Sequence, residues 1–150
     1  MERLLDICRK HFHKGRYDWD LIHEFNVFQT ITEFDNKLQH YPHTDSSFDT
    51  PNKLATLNML VYLDKQESGG TAVYNGEWIS NDEHHGLLYP CQDEFELNTI
   101  IPAKFNRCVI FPGNRLHGAH IEDYTKYSGD NWRVSQVQFF HPTTGNNHAK

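Results

Sequence analysis

Two histidines and one aspartate are the most informative residues in this 150-residue sequence. His43 and Asp45 are separated by a single residue within the stretch 41–45, and His117 follows much later in the chain. In an extended strand, residues i and i+2 point to the same side, so His43 and Asp45 converge on one point. Two histidines and a carboxylate that leave coordination positions open are typical of non-haem iron(II) oxygenases. The pattern therefore predicts an iron(II) site held by these three side chains.

Arg133, at the start of the last predicted strand, is the candidate for binding an anion. Its guanidinium group can donate two parallel hydrogen bonds to one carboxylate. Ser135 lies two residues further on, on the same face of the strand, and the phenol of Tyr62 is another potential donor. We expect these residues to bind an anionic co-substrate beside the metal. The alternatives are a surface arginine and a tyrosine that only packs in the core.

The third metal ligand has two candidates. A His-x-Asp pair is weak evidence by itself, because the chain contains 11 histidines. His120 follows His117 by three residues and is the rival ligand. On one strand these two side chains point to opposite faces, so only one of them can bind the metal.

The alternation of apolar and polar residues predicts the elements that position these side chains. We expect a short amphipathic helix over residues 1–12 and a turn over 18–21, and the first two strands should form a hairpin. No β-α-β alternation is present, which favours an all-β core. With the N-terminal helix, this predicts a jelly roll, that is, a cupin-like double-stranded β-helix. The predicted strands are 25–33, 38–42, 54–63, 71–74, 97–101, 107–111, 117–121 and 132–141.

The length of the chain favours one domain over residues 1–150. Within it we expect helical support from residues 1–23, a jelly-roll core over 24–141 and a polar tail over 142–150. A long irregular loop is predicted over 75–96, and loops of that length are usually functional or mobile.

Composition and charge narrow the class of partner. The formal net charge is −6 and the pI about 6.0, which disfavours nucleic acid because such binders usually present a basic surface. The three cysteines are widely spaced and include no Cys-x-x-Cys motif, which argues against a disulfide framework or a cysteine-rich zinc site. No apolar run approaches the length of a membrane span, and the N-terminus resembles no signal peptide. We therefore expect a soluble, cytoplasmic protein without a membrane partner.

Taken together, these segments resemble the 2-oxoglutarate- and iron(II)-dependent oxygenase superfamily, in particular its prolyl-4-hydroxylase-like branch. In that branch a strand ending in Tyr-Leu-Asn or Tyr-Leu-Asp precedes an acidic turn and Gly-Gly, as Tyr62-Leu63-Asp64 precedes Gly69-Gly70 here. The resemblance covers residues 24–141. The segments that carry it are 41–45, 57–64, 69–74, 105–113, His117 and Arg133-Val134-Ser135.

The resemblance implies a role for each candidate residue. His43, Asp45 and His117 would hold Fe(II), and Arg133 would bind the distal carboxylate of 2-oxoglutarate. Tyr62 and Ser135 would help Arg133 to bind this carboxylate. The implied reaction consumes O2, decarboxylates 2-oxoglutarate to succinate and CO2, and hydroxylates a substrate C–H bond. The substrate stays open between a small molecule and a peptide or protein side chain.

The sequence also departs from the family pattern. The interval between His117 and Arg133 is longer than usual, so residues 122–131 would form an inserted loop. His117 is preferred over His120 because it follows the Phe-Pro-Gly segment at the place that the family uses. The chain lacks much of the helical support of larger members, which leaves room for a homo-oligomer or a partner.

Two other function classes compete with the oxygenase. One is a non-catalytic, cupin-like metal-binding or sensing module, which would not need Arg133 to bind 2-oxoglutarate. The other is a zinc hydrolase that uses a metal-bound water, but no separate general base stands out at a suitable spacing. Binding of 2-oxoglutarate distinguishes the oxygenase from the metal-only module.

Overall fold

A computed structural model describes residues 2–12, 18–31, 42–45, 56–76 and 95–143. These residues form one α-helix, seven β-strands and a 3₁₀ helix. The first elements are α1 (Glu2–His11), β1 (Asp18–Gln29), β2 (Leu57–Tyr62) and β3 (Gly70–Tyr74). The remaining elements are β4 (Leu97–Pro102), β5 (Cys108–Pro112), β6 (His117–His120), the 3₁₀ helix (Tyr124–Tyr127) and β7 (Arg133–Thr143).

The strands form two antiparallel sheets. The larger sheet has the order β1-β7-β2-β5, and the smaller one has the order β4-β3-β6. Neighbours in the sheets are mostly distant in sequence, as in a jelly roll, where the chain crosses repeatedly between two sheets. The predicted all-β core with an N-terminal helix, a cupin-like double-stranded β-helix, is thereby confirmed.

Strand β7 has two different faces because its side chains alternate. One face borders a cavity between the two sheets, and the other face lies on the outside of the larger sheet. Phe140, on the outward face, is fully buried with Trp19, Leu57 and Cys8, and the last of these belongs to α1. The side chains of β7 that line the cavity are Arg133, Ser135, Val137 and Phe139. Helix α1 therefore covers the outside of the larger sheet and leaves its inner face for the candidate site.

Strand β1 begins earlier than the sequence predicts. Residues 18–21 were expected to form a turn, but they belong to β1, and this prediction is wrong. Their backbone pairs with the end of β7, with Asp18 opposite Thr143 and Leu21 opposite Phe140. The pairing partner lies at the other end of the sequence, so the local composition of 18–21 contains no sign of it. The same pairing continues along β1 as far as Gln29, so β7 also fixes the position of Phe25 and Val27, which line the cavity.

Three other predictions, one strand and two loops, have different outcomes. The predicted hairpin partner of β1, residues 38–42, lies outside the described residues except for its last position, and so does most of the predicted loop 75–96. Residues 122–131 contain the 3₁₀ helix, whose Tyr127 is fully buried with Ile31 and Ile121. The hydroxyl of Tyr127 donates a hydrogen bond to the carbonyl of Ser68 at 2.8 Å. The inserted loop therefore contributes to the core.

Within the described part of the chain, no helix is both long and apolar enough to cross a bilayer.

Candidate metal centre

Backbone hydrogen bonds join the His-x-Asp segment to strand β6. The amide of His43 donates to the carbonyl of His117 at 2.8 Å, and the amide of His117 donates back to the carbonyl of His43 at 2.9 Å. The amide of Asp45 donates to the carbonyl of Gly113 at 2.8 Å. Residues 42–45 therefore extend the smaller sheet beside β6. This pairing brings together two histidines that are far apart in sequence.

The three side chains converge at the cavity. Nε2 of His43 lies 3.3 Å from Oδ1 of Asp45, and Nε2 of His117 lies 3.2 Å from Oδ2 of the same carboxylate. One ligand atom from each residue can be chosen so that all three lie within 4.8 Å of one another. Among the described residues, this is the cluster whose donor atoms are close enough to hold a metal ion. Two imidazole nitrogens and one carboxylate suit Fe(II) with open coordination positions.

The ring of His117 is held in one orientation. Its Nδ1 atom lies 2.7 Å from the carbonyl oxygen of Arg115, and because a carbonyl only accepts, Nδ1 is the donor. The ring of Phe111 packs edge-on against the imidazole, with 4.6 Å between centroids. This arrangement leaves Nε2 facing Asp45. Metal-binding histidines usually show such a hydrogen bond from the second ring nitrogen.

The carboxylate of Asp45 is ionised at neutral pH. Burial acts to raise the pKa of Asp45, but hydrogen bonds from His117 and His43 outweigh burial and hold that pKa well below its usual range. The side chain is 23% exposed. A metal ligand must bind in its deprotonated form, so this ionised carboxylate meets the requirement.

The cavity has a volume of about 240 Å³, and its polar groups are set in largely apolar walls. His43, Asp45 and His117 lie on its surface, and so do Arg133 and Ser135. The structure thus places five of the six residues singled out in the sequence around one space. The sixth, Tyr62, is buried behind it.

Arg133 is buried, with only 7% of its surface exposed, yet its side chain lines the cavity. Among the described residues, no carboxylate forms an ion pair with its guanidinium group. A buried charge is unfavourable unless a partner neutralises it. The arrangement is therefore suited to an anionic ligand that enters the cavity.

Tyr62 reaches the cavity only through a neighbour. Its hydroxyl lies 2.6 Å from the hydroxyl of Thr71, and both residues are buried. Burial raises the pKa of Tyr62, while the hydrogen bond with Thr71 and the charge of Arg133 oppose this change without reversing it. The phenol therefore stays protonated, and Thr71 is the residue of the pair that lines the cavity.

His120 points away from this centre. It follows His117 by an odd number of residues on β6, so its side chain lies on the opposite face of the smaller sheet. Its Nε2 atom lies 4.0 Å from Oε1 of Glu122, and it is absent from the cavity wall. Of the two candidate third ligands, His117 is the one beside Asp45.

Comparison with protein families gives one match and no function. The model described as "Family of unknown function (DUF6445)" matches residues 79–133, which is less than half of the chain. No curated protein matches the sequence.

Solved structures with the same fold match most of the chain. The non-heme alpha-ketoglutarate-dependent epimerase SnoN from nogalamycin biosynthesis has a TM-score of 0.59 at 17% identity, over 92% of this chain and 52% of its own. EvdMO1 has a TM-score of 0.58 at 14% identity, over 93% and 30%. AviO1 from Streptomyces viridochromogenes Tue57 has a TM-score of 0.58 at 15% identity, over 93% and 57%. The chain thus spans less than two thirds of each neighbour, and identities this low establish a shared fold alone.

Two residues of the site were not predicted from the sequence. Asn58 is 2% exposed and donates a hydrogen bond from Nδ2 to Oδ2 of Asp45. Thr71 lies on the cavity wall beside Tyr62. The one available signal was the amide of Asn58 inside the apolar run of β2, since a buried polar side chain needs a partner. For Thr71, which follows Gly69-Gly70, the sequence contained no comparable signal.

Proposed function

We propose that this protein is an Fe(II)- and 2-oxoglutarate-dependent oxygenase that hydroxylates a C–H bond of a substrate. One observation carries the proposal: His43, Asp45 and His117 share a cavity with the buried Arg133, for which the described residues offer no carboxylate partner. The likeness in fold to SnoN, which is described as an alpha-ketoglutarate-dependent epimerase, supports it. The prolyl-4-hydroxylase-like branch stays a prediction from the sequence.

The three ligand side chains hold the metal at one end of the cavity. When bound, iron would activate O2, which is the oxidant: one oxygen atom enters succinate as 2-oxoglutarate loses CO2, and the other enters the hydroxylated substrate. The chain itself orients the ligands through the β6 pairing and the hydrogen bond from His117 to Arg115. It also provides an ionised Asp45 without the need for proton release at neutral pH.

Arg133 binds the distal carboxylate of 2-oxoglutarate at the other end. Asn58, next to the metal ligands, and Tyr62, which pairs with Ser135, are four residues apart on β2, about 13 Å along a strand. The side chain of Arg133 spans part of this distance. The remainder leaves room for a five-carbon dicarboxylate between the guanidinium group and the metal ligands. The hydroxyls of Ser135 and Thr71 line the same region and donate to the carboxylate.

The remaining cavity wall favours an apolar substrate group. Phe25 and Phe139 form a tilted aromatic pair, with 5.9 Å between ring centroids, and both line the cavity. Phe25 is 47% exposed, which places it at the mouth. Of the described lining residues, Arg133 is the one with a permanent positive charge, and 2-oxoglutarate uses it. The reacting part of the substrate, whether a small molecule or a side chain, therefore carries no negative charge.

The test is an anaerobic titration of 2-oxoglutarate into the Fe(II)-loaded protein, followed by the visible charge-transfer band of the chelate. We expect the band in the wild type. Arg133→Ala should weaken 2-oxoglutarate binding by about 2–5 kcal/mol because a buried, hydrogen-bonded charge pair is lost. Arg107→Ala is the matched control, because that guanidinium group only donates to the carbonyl of Pro102 at the surface.

The competing function is a non-catalytic metal-binding or sensing module. If the wild type binds Fe(II) but shows no band and no 2-oxoglutarate binding, this alternative replaces the oxygenase. Equal 2-oxoglutarate affinity in Arg133→Ala and in the wild type would contradict the role of Arg133 alone.

A further inference from the structure

The amide of Asn58 is oriented by two polar neighbours. Its Oδ1 atom accepts a hydrogen bond from the hydroxyl of Thr56 at 3.4 Å, and its Nδ2 atom donates to Oδ2 of Asp45. An ionised carboxylate can only accept, so the nitrogen of the amide must face Asp45. The contacts of Oδ1 and Nδ2 therefore define the same orientation of the amide, with its oxygen toward Thr56 and its nitrogen toward Asp45.

This amide is unfavourable in its position unless it has partners. Asn58 is 2% exposed and lies in β2 between Leu57, which is fully buried, and Met59. A buried amide without hydrogen bonds destabilises the fold, whereas an apolar side chain of similar size would not. The contact with Asp45 is therefore the feature that an asparagine supplies here and a leucine does not.

The contact also restricts the carboxylate. The terminal torsion of an aspartate has broad minima, so its own rotamer preference does not fix the plane of the two oxygens. Oδ1 faces Nε2 of His43 at 3.3 Å, while Oδ2 accepts from Asn58 and also lies 3.2 Å from Nε2 of His117. Rotation of the carboxylate out of this plane would break the hydrogen bond from Asn58.

We propose that Asn58 is a positioning residue that fixes the orientation of the Asp45 carboxylate toward the metal. This inference rests on the proposed metal site. A side chain that hydrogen-bonds to a metal ligand orients that ligand, and its loss usually weakens metal binding. Asn58 acts through Asp45 and does not itself contact the metal.

The first experiment measures binding of Co²⁺ to the whole chain by calorimetry and by the visible spectrum of the bound ion. Asn58→Leu keeps the size of the side chain and removes the donor. We expect a 10–100-fold loss of Co²⁺ affinity, the usual effect of removing a group that orients a metal ligand. The visible spectrum should also change, because it depends on the arrangement of the ligands around the ion.

A matched control is available on strand β4. The amide of Asn98 is exposed and donates to Oδ1 of Asn75 at 2.7 Å, away from the site. Asn98→Leu should leave both the Co²⁺ affinity and the spectrum as in the wild type. Thr56→Val is a milder variant that keeps Asn58 and removes only the hydroxyl that orients it, so we expect a smaller loss in the same direction.

A double-mutant cycle separates positioning from a general effect on the fold. The cycle is measured by urea unfolding of the metal-free protein: Asn58→Leu should lower the urea midpoint less in an Asp45→Asn background than in the wild type, because the carboxylate that it contacts is gone. An equal effect in both backgrounds would overturn the inference and assign Asn58 a purely structural role. Unchanged affinity and spectrum in Asn58→Leu would overturn it as well.

The outcomes also distinguish this inference from the proposed function. A wild type that binds no Co²⁺ or Fe(II) would end both. A wild type that binds metal and 2-oxoglutarate, with Asn58→Leu indistinguishable from it, would end only the role of Asn58.

Discussion

The hydroxyl groups of Tyr62 and Thr71 lie 2.6 Å apart, and it is Thr71 that lines the cavity. The tyrosine comes from β2 of the larger sheet and the threonine from β3 of the smaller sheet. The hydrogen bond therefore joins the two sheets beside Arg133. A tyrosine that the sequence predicted as a donor to the co-substrate thus lies behind a threonine that lines the cavity.

This relationship predicts different effects for the two residues. Thr71→Val should weaken 2-oxoglutarate binding by about 1 kcal/mol, or about fivefold, because one hydrogen bond to the co-substrate is lost. Tyr62→Phe should lower the free energy of unfolding by a similar amount and weaken binding less. Calorimetric titration checks the affinities, and Thr99→Val on the exposed part of β4 is the control. A larger loss in Tyr62→Phe than in Thr71→Val would show that the phenol binds 2-oxoglutarate directly.

The two histidines of β6 should respond differently to replacement. His117→Ala should abolish tight binding of Mn²⁺, because one of three ligands is removed. His120→Ala should leave that affinity within about twofold, because its side chain lies on the other face of the sheet. Electron paramagnetic resonance of free Mn²⁺ measures both. Loss of binding in His120→Ala with retention in His117→Ala would reverse the assignment.

The ionised Asp45 predicts a pH-dependent stability in the metal-free protein. Its folded-state pKa lies below the unfolded value, so the contribution to stability is complete above about pH 4, the ordinary pKa of an aspartate. The contribution is lost as the pH falls through the lower folded value. The wild type should therefore lose stability relative to Asp45→Asn on acidification, as measured by urea unfolding in the presence of a chelator. A relative stability that rises with acidification would contradict this prediction.

The glycine before β3 lies too close to strand β6 for any side chain. Gly69 has a φ of +74°, and a Cβ atom there would lie 2.0 Å from the carbonyl oxygen of His120. Gly69→Ala should destabilise the fold by about 2 kcal/mol or more, because clash adds to backbone strain. Gly129 also has a positive φ but has open space around it, so Gly129→Ala should cost about 1 kcal/mol. Similar losses in both variants, measured by urea denaturation, would show that the contact with β6 is unimportant.

Much of the candidate site could be predicted from the sequence because strand parity is local. The spacing of His43 and Asp45, and that of Arg133 and Ser135, places each pair on one face as soon as the backbone is extended. The same parity separates His117 from His120. The apolar and polar alternation also predicts most of the strands and hence the all-β fold, within a few residues at each end except at the start of β1.

Long-range pairing decided the rest. Residues 18–21 have no strong strand pattern, yet they are strand because the far end of β7 pairs with them. Asn58 and Thr71 became site residues because the two sheets place them opposite Asp45 and Tyr62. The sequence by itself determined which side chains share a face of a strand, since that depends on a two-residue period. Only the tertiary structure decided which faces meet across the cavity, since hydrogen bonds between distant segments set the order and register of the strands.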